Sequence, residues 1–172
     1  MATTPAARVS IEEYLNTEYE PDYDYVAGIL EDRNVGKKKH SKTQGRVYAW
    51  LVAQVESKGK VVLPEQRVWL SRSLVRVPDI CVVDQNDEDE VQRKPPDLWV
   101  EILSPDDRFS RVQRKVKEVL DFGVPTVWII DPYERQAWTG TPQQGIVAAE
   151  DNVLRCENLD LELPLEQILP AG

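Results

Sequence analysis

Two periods of apolar residues alternate along this chain. Val47, Leu51 and Val55 recur every fourth position, the spacing of one helical face, and "SKTQ" at 41–44 has the form of a capping box. Together they predict a helix opening near Ser41 and running to about Ser57. A second stripe, Phe109, Val112, Val116, Val119 and Leu120, predicts a helix from about Asp107 to Phe122, stopped by Gly123. "SIEE" at 10–13 is another capping box and predicts a short helix from near Ile11. Elsewhere the pattern shortens to strand-like runs. "DYVAGIL" reads as a strand or hairpin arm containing Gly28, while "KVVLPEQRVWL" and "VRVPDICVVD" read as two strands separated by a polar turn around Ser71. "DLWVEIL" and "TVWIID" follow on either side of the second long helix. The tail carries two or three weaker strands, "NVLRCE" among them, and "PLEQIL" predicts a helical turn.

The central order is therefore helix, strand, strand, strand, helix, strand. "DLWVEIL" and "TVWIID" lack polar alternation, as strands buried on both faces of a parallel pair do. The segment Asp97–Asp131 has about the length of a strand–helix–strand crossover. These features predict an α/β (α+β) fold, with a mixed central β-sheet flanked by helices and extra C-terminal strands. No repeat or Pro/Ser-rich linker interrupts the chain, so one domain over residues 1–172 is expected.

Composition narrows the function. At 172 residues, 41% hydrophobic and 30% charged, the chain has ordinary globular proportions. Its apolar runs are too short to cross a bilayer, and "MATTPAARVSIEEYL" lacks the basic-then-apolar order of a secretory signal, so a cytoplasmic location is expected. Cys81 and Cys156 lie in strand-like segments and read as reduced core thiols. The net charge of −9 argues against tight, non-specific nucleic-acid binding through many phosphate contacts. The basic run "GKKKH" is outweighed by "DQNDEDE". A metal-dependent enzyme remains compatible, because bound cations offset acidity.

Glu101 is the residue out of place. It sits between Val100 and Ile102 in an apolar run, and an unpaired buried carboxylate costs several kcal/mol or changes its protonation state. Asp79 follows Pro78, where the missing amide suits an edge or bend, and the two acids lie on consecutive strands, which are often neighbours. Converging carboxylates with oxygen-only ligands suit Mg²⁺ or Mn²⁺. The bland alternative makes Asp79 an exposed turn residue and pairs Glu101 with an arginine. Lys115 falls at the edge of its helix's apolar stripe and can lean towards Glu101, whereas Arg114 and Lys117 point further to solvent. A lysine there can orient or help deprotonate an attacking water, or can simply snorkel at the surface. Glu65 is a further candidate ligand. His40, the only histidine, lies on the buried side of the first long helix, where packing, capping and function are all open. Asp131, before Pro132, reads as turn chemistry.

"RVPD", "PDLWVEILSP", Lys115 and "GVPTVWIIDP", in that order and spacing, resemble the PD-(D/E)xK nuclease superfamily. The closer resemblance is to a bacterial branch of restriction-endonuclease-like proteins mostly without assigned function. The superfamily's usual lysine would occupy position 103, where this chain has Leu103; the branch carries its lysine eleven residues beyond the serine of "LSP", which is Lys115. The branch also has an acidic residue before the first glycine turn, here Asp24 in place of the more usual glutamate, and a histidine opening the first long helix, here His40. The resemblance implies a metal-dependent endonuclease acting on DNA, with Asp79, Glu101, Lys115 and His40 as catalytic residues. It implies Mg²⁺ or Mn²⁺ on Asp79 and Glu101, with Asp24 as a further candidate ligand, and a possible homodimer. The alternative is a nuclease fold without cleavage that binds nucleic acid or protein, which the acidity and the missing basic groove favour.

Overall fold

The computed structural model describes residues 8–34 and 36–169; residues 1–7, part of the stretch read for a signal sequence, lie outside them. Helix α1 (Ile11–Leu15) is capped by Ser10, whose hydroxyl accepts from the Glu13 amide as the capping box predicts. Strands β1 (Asp24–Val26) and β2 (Ile29–Glu31) form a hairpin turned at Ala27 and Gly28, both with positive φ. Helix α2 (Lys38–Val55) starts three residues before Ser41, with Lys37 at its cap and no side-chain capping bond. "SKTQ" is therefore not the cap. The apolar stripe extends backwards through buried Thr43 and His40, and burying that extra turn moves the start.

The two long runs predicted as single strands each divide. β3 (Lys60–Pro64) is separated from β4 (Val68–Ser71) at Glu65, which adopts φ 50°. β5 (Leu74–Arg76) is separated from β6 (Ile80–Asp84) at Pro78, which has no amide to continue a ladder. The chain thus leaves one sheet at Pro64 and returns to it at Ile80. β4 and β5 join the first hairpin in a sheet ordered β2-β1-β5-β4. β7 (Leu98–Ile102) and β8 (Val127–Asp131) flank helix α3 (Phe109–Phe122) and pair in parallel, with Glu101 opposite Ile129.

Among the described residues the tail holds four strands rather than two or three. β9 (Gln136–Thr141) and β10 (Gly145–Ala148) extend the main sheet to the order β10-β9-β8-β7-β6-β3. β11 (Val153–Cys156) and β12 (Leu161–Pro164) form a separate hairpin, followed by a 3₁₀ turn at Leu165–Gln167 where the helical turn was expected. Leu154, Leu163 and Ile168 are buried from this hairpin and turn, and Trp128 donates to the Arg155 carbonyl at 2.9 Å. The mixed sheet flanked by helices, with extra C-terminal strands, is the predicted architecture.

Alternation along β7 sorts the core. Leu98, Val100 and Ile102 pack with Val47, Leu51 and Val55 of α2, while Trp99 and Leu103 pack with Val112, Val116 and Val119 of α3. Glu101 shares the second face and therefore meets α3. Cys81 and Cys156 are free and buried. Among the described residues, no helix is long and apolar enough to cross a membrane.

Candidate active site

Where β6 begins and β7 ends, a cavity of about 70 Å³ is lined by Asp24, Arg33, His40, Asp79, Glu101 and Lys115, among others. The antiparallel register Ile80↔Val100 places Asp79 beside the end of β7, and the Ile102 amide donates to Asp79 Oδ2 at 2.7 Å. Asp79 is 7% exposed, so it is not a turn residue facing solvent. Its backbone carbonyl accepts from Gln44 Nε2 at 3.0 Å and from the Glu65 amide at 3.2 Å, which ties the bend to α2 and to the end of β3. Its other oxygen, Oδ1, has His40 Nε2 at 3.4 Å and Arg33 Nη2 at 3.5 Å.

The partner that Glu101 requires is Lys115. The ammonium lies 2.8 Å from Glu101 Oε1 and 3.5 Å from Asp24 Oδ2, donates to the Val77 carbonyl at 3.3 Å, and sits 5.9 Å from the centre of the Trp99 ring. Trp99 Nε1 also donates to Glu101 Oε1, at 2.6 Å. Both donors converge on one oxygen, and no described residue donates to Oε2. The arginine considered as a partner for Glu101 is found instead at Asp79. Lys117, two residues along α3, pairs with Asp121 at the surface.

The cavity separates the two acids electrostatically. Burial raises the pKa of Asp79, but the hydrogen bond and charge of His40, the Ile102 amide and Arg33 outweigh it and hold the carboxyl below its ordinary value. Burial, aided by the Asp79 charge, raises the pKa of Glu101 despite Lys115 and Trp99. For Lys115, burial favours the neutral amine, yet Asp24 and Glu101 prevail and raise its pKa, so the side chain is an ammonium at neutral pH. As an ammonium it can donate hydrogen bonds and offset charge. His40 is likewise raised, because Asp79 outweighs its burial.

A pH series follows from Glu101. Its folded pKa exceeds the unfolded one, so the contribution of Glu101 to the stability of the metal-free protein is present in full below the ordinary glutamate value and is lost as pH rises through the raised one. Glu101→Gln is expected to lack that loss and, at neutral pH, to match or exceed the parent in a denaturant titration, since Lys115 keeps Asp24. A deficit of about 3–5 kcal/mol, the scale of a broken buried ion pair, would instead make the Glu101–Lys115 contact a structural strut.

Two expected ligands are placed differently. Asp24 is buried, but its oxygens accept from the Val77 amide at 2.8 Å and from Arg76 Nη1 at 3.1 Å, besides holding Lys115. It anchors the lysine rather than offering a free ligand atom. Glu65 is 54% exposed at the side chain, does not line the cavity, and reaches it only through Arg33 Nη1 at 3.9 Å. Its backbone adopts the left-handed region at φ 50°, where the chain leaves β3. Asp131 accepts from the amides of Tyr133 and Glu134, as turn chemistry requires. Three contributors escaped the sequence reading: Trp99, Arg76 and Arg33. Trp99 was detectable, since it shares a strand face with Glu101 two positions on. Arg76 buries a fully enclosed guanidinium between Asp24, Glu31 and Glu118, and only its place in "RVPD" hinted at it. Arg33 lies in the loop after β2 and carried no periodic signal.

A mixed sheet of this order, with Asp79, Glu101 and Lys115 meeting at the ends of its strands, defines a restriction-endonuclease-like protein of the PD-(D/E)xK type. The chain belongs to the Uma2 family, described as "Putative restriction endonuclease", whose model matches residues 11–172. Among solved structures it is similar to a crystal structure described as "a putative nuclease belonging to DUF820" from Anabaena variabilis. That likeness has a TM-score of 0.82 at 24% identity, over 93% of this chain and 97% of that one, and it bears on the fold alone. No curated protein matches the sequence.

Proposed function

We propose that this protein is a divalent-metal-dependent endonuclease that hydrolyses phosphodiester bonds in DNA. The observation that carries the reading is the meeting of Asp79 and Glu101 beside an ammonium, with Glu101 Oε2 taking no donor from a described residue and Asp79 Oδ1 held only by the longer His40 and Arg33 contacts. Among the described residues no three His, Cys, Asp or Glu side chains form a cage. Two carboxylates completed by water and substrate phosphate are nevertheless how Mg²⁺ is commonly held, and the oxygen-only donors fit Mg²⁺ or Mn²⁺. When bound, such an ion supplies Lewis-acid stabilisation of charge developing on the phosphoryl group. The protein's own groups do the rest. Trp99 Nε1 fixes Glu101 Oε1, the Ile102 amide and His40 fix Asp79, and Asp24 with the Val77 carbonyl aims Lys115 Nζ at the attacking water and at the charge that forms.

The surroundings favour a polymer over a nucleotide. Water occupies about 30 Å³ per molecule in the liquid, so the cavity admits a phosphate and little else, and the rest of the substrate must lie across its mouth. There the N-terminal ends of α2 and α3 approach each other, joined by Lys37 to Asp106 at 3.3 Å, by Asn34 to Asp107, and by Arg111 to the Asp32 carbonyl at 2.8 Å. Exposed Lys37, Lys38, Lys39, Arg108 and Arg111 surround these ends. Asp106 and Glu31 pair with Lys37 and Arg111, which leaves Lys38 and Arg108 as exposed cations beside these helix ends, and phosphate contacts depend on such local charge as well as on the net charge of −9. The family's description as a restriction endonuclease favours DNA as the polymer. Cutting both strands of a duplex would suit a homodimer, and the protein would act in the cytoplasm.

Incubation with supercoiled plasmid and Mg²⁺ or Mn²⁺ is expected to yield nicked and then linear DNA, with no product in EDTA. Single-stranded and branched substrates run alongside locate the preferred form. Metal binding without cleavage of any of the three would replace the nuclease by the silent module.

A further inference from the structure

We propose that Arg33 is the phosphate-binding residue of this site, exchanging its hold on Asp79 for two oxygens of the substrate phosphate. The inference rests on the nuclease reading above and names a further residue for it. Arg33 lies in the loop between β2 and α2 with its side chain 12% exposed and lining the same cavity as Glu101 and Lys115. Its contacts are two long ion pairs, to Asp79 Oδ1 at 3.5 Å and Glu65 Oε2 at 3.9 Å. It makes no hydrogen bond to any described residue.

Two other arginines in the protein show what a settled guanidinium looks like. Arg67 holds both oxygens of Asp22, at 2.7 and 2.8 Å, and donates to the carbonyls of Tyr14 and Thr17. Arg76 donates to Glu118, Glu31 and Asp24 at 2.9, 2.8 and 3.1 Å. Arg33 alone of these three is held by charge without directional bonds. A guanidinium fork matches the paired oxygens of a phosphate, and an unsatisfied fork facing a cavity is ready to receive them.

Charge gives the exchange its direction. Without metal, Arg33 and Lys115 face the carboxylates of Asp79, Glu101 and Asp24 across the cavity. A divalent cation at the carboxylates meets the like charge of Arg33 beside Asp79 Oδ1, which weakens the Arg33–Asp79 contact and leaves the cavity positive. A phosphodiester then supplies the acceptor that Arg33 lacks. Arg33 therefore opposes metal in the free protein and assists it once nucleic acid is present.

This gives opposite signs in two binding measurements. Arg33→Gln is expected to bind Mn²⁺ more tightly than the parent in calorimetry without DNA. The same variant is expected to bind a fluorescent DNA duplex in Ca²⁺ about tenfold to a hundredfold more weakly, the scale of one charge-assisted bidentate contact. In plasmid cleavage the loss should appear mainly in KM. Arg33→Lys keeps the charge without the fork and should recover only part of the DNA affinity; it also carries the test should Arg33→Gln fail to fold. DNA affinity within twofold of the parent in a folded variant would overturn the proposal. So would parallel loss of metal and DNA binding, which is the signature of a strut for Asp79. A parent that binds Mn²⁺ yet neither binds nor cleaves DNA overturns the nuclease reading and this inference with it, whereas a cleaving parent matched by Arg33→Gln overturns the inference alone.

Discussion

Asp79→Asn is expected to abolish metal-dependent cleavage and, with it, the rise in melting temperature that Mg²⁺ or Mn²⁺ gives the parent. An ion that binds only the folded protein stabilises it by about 2.7 kcal/mol when present at a hundred times its dissociation constant. Asparagine keeps an oxygen that can accept from the Ile102 amide, which now bonds Asp79 Oδ2 at 2.7 Å, so the end of β7 stays in place. What it removes is the negative charge facing His40 and Arg33. Without that charge Arg33 and Lys115 would face Glu101 and an Asp24 already tied to Arg76, His40 would lose the anion that raises its pKa, and a divalent ion would find one free carboxylate instead of two. Metal-free stability should fall, because the Arg33 and His40 contacts at 3.5 and 3.4 Å lose their anion. Melting curves of parent and variant across a Mn²⁺ titration provide the check. An equal response from both would move the metal site elsewhere, with the acidic loop after Asp84 the first place to look.

The parts of this site that were legible in the sequence are those that obey a period. Glu101 was conspicuous because every neighbour on β7 is apolar, and the alternation along β7 fixed the face on which its partner had to lie. The helical period of α3 then selected Lys115 over Lys117 and Arg114. The strand division at Glu65 and Pro78 was not legible, because an apolar run reads the same whether it continues in one sheet or crosses to another. The consequence was local: Glu65 read as a further candidate ligand, although at the division between the strands its side chain is 54% exposed and meets the site only through Arg33. Asp24 was placed in the right neighbourhood through the resemblance, but its role depends on Arg76 and the Val77 amide, which are distant in sequence and meet it only through the β1–β5 pairing. Arg33 was invisible for the same reason in stronger form. Loop residues have no periodic face, and what marks it is the geometry of bonds it does not make.

Lys115→Ala is expected to lower cleavage about 10²-fold or more, the usual scale for losing a positioned proton-transfer or electrostatic group, while Lys117→Ala leaves the rate unchanged. The two lysines share a helix and a charge but not a site. Lys117 is 76% exposed and bonded to Asp121 at 2.5 Å, an i,i+4 pair whose loss costs about 0.2–0.5 kcal/mol. From the helical stripe alone, Lys115→Ala would also be expected to leave stability intact, since an edge residue opens no cavity. The buried contacts of its ammonium with Glu101 and Asp24 reverse that expectation. Its removal strands Glu101 beside Asp79, but Asp24 retains Arg76, and Glu101 can take up a proton. The cost should therefore be about 1–3 kcal/mol, below that of a fully uncompensated buried charge. The sign of its pH dependence follows. Without the ammonium the folded-state pKa of Glu101 climbs further, so the deficit is greatest at neutral pH and above and narrows as acid neutralises the carboxyl. Metal should close part of the gap as well, because a cation on Asp79 and Glu101 replaces some of the charge that Lys115 supplied. Rate and stability thus separate. Saturating Mn²⁺ is expected to restore much of the lost melting temperature but not the lost cleavage, since the ion would not replace the positioning of the attacking water proposed for Lys115 Nζ. Recovery of both together would reduce Lys115 to a counter-ion for Glu101, and equal rate losses at Lys115 and Lys117 would mean that α3 contributes only general positive charge.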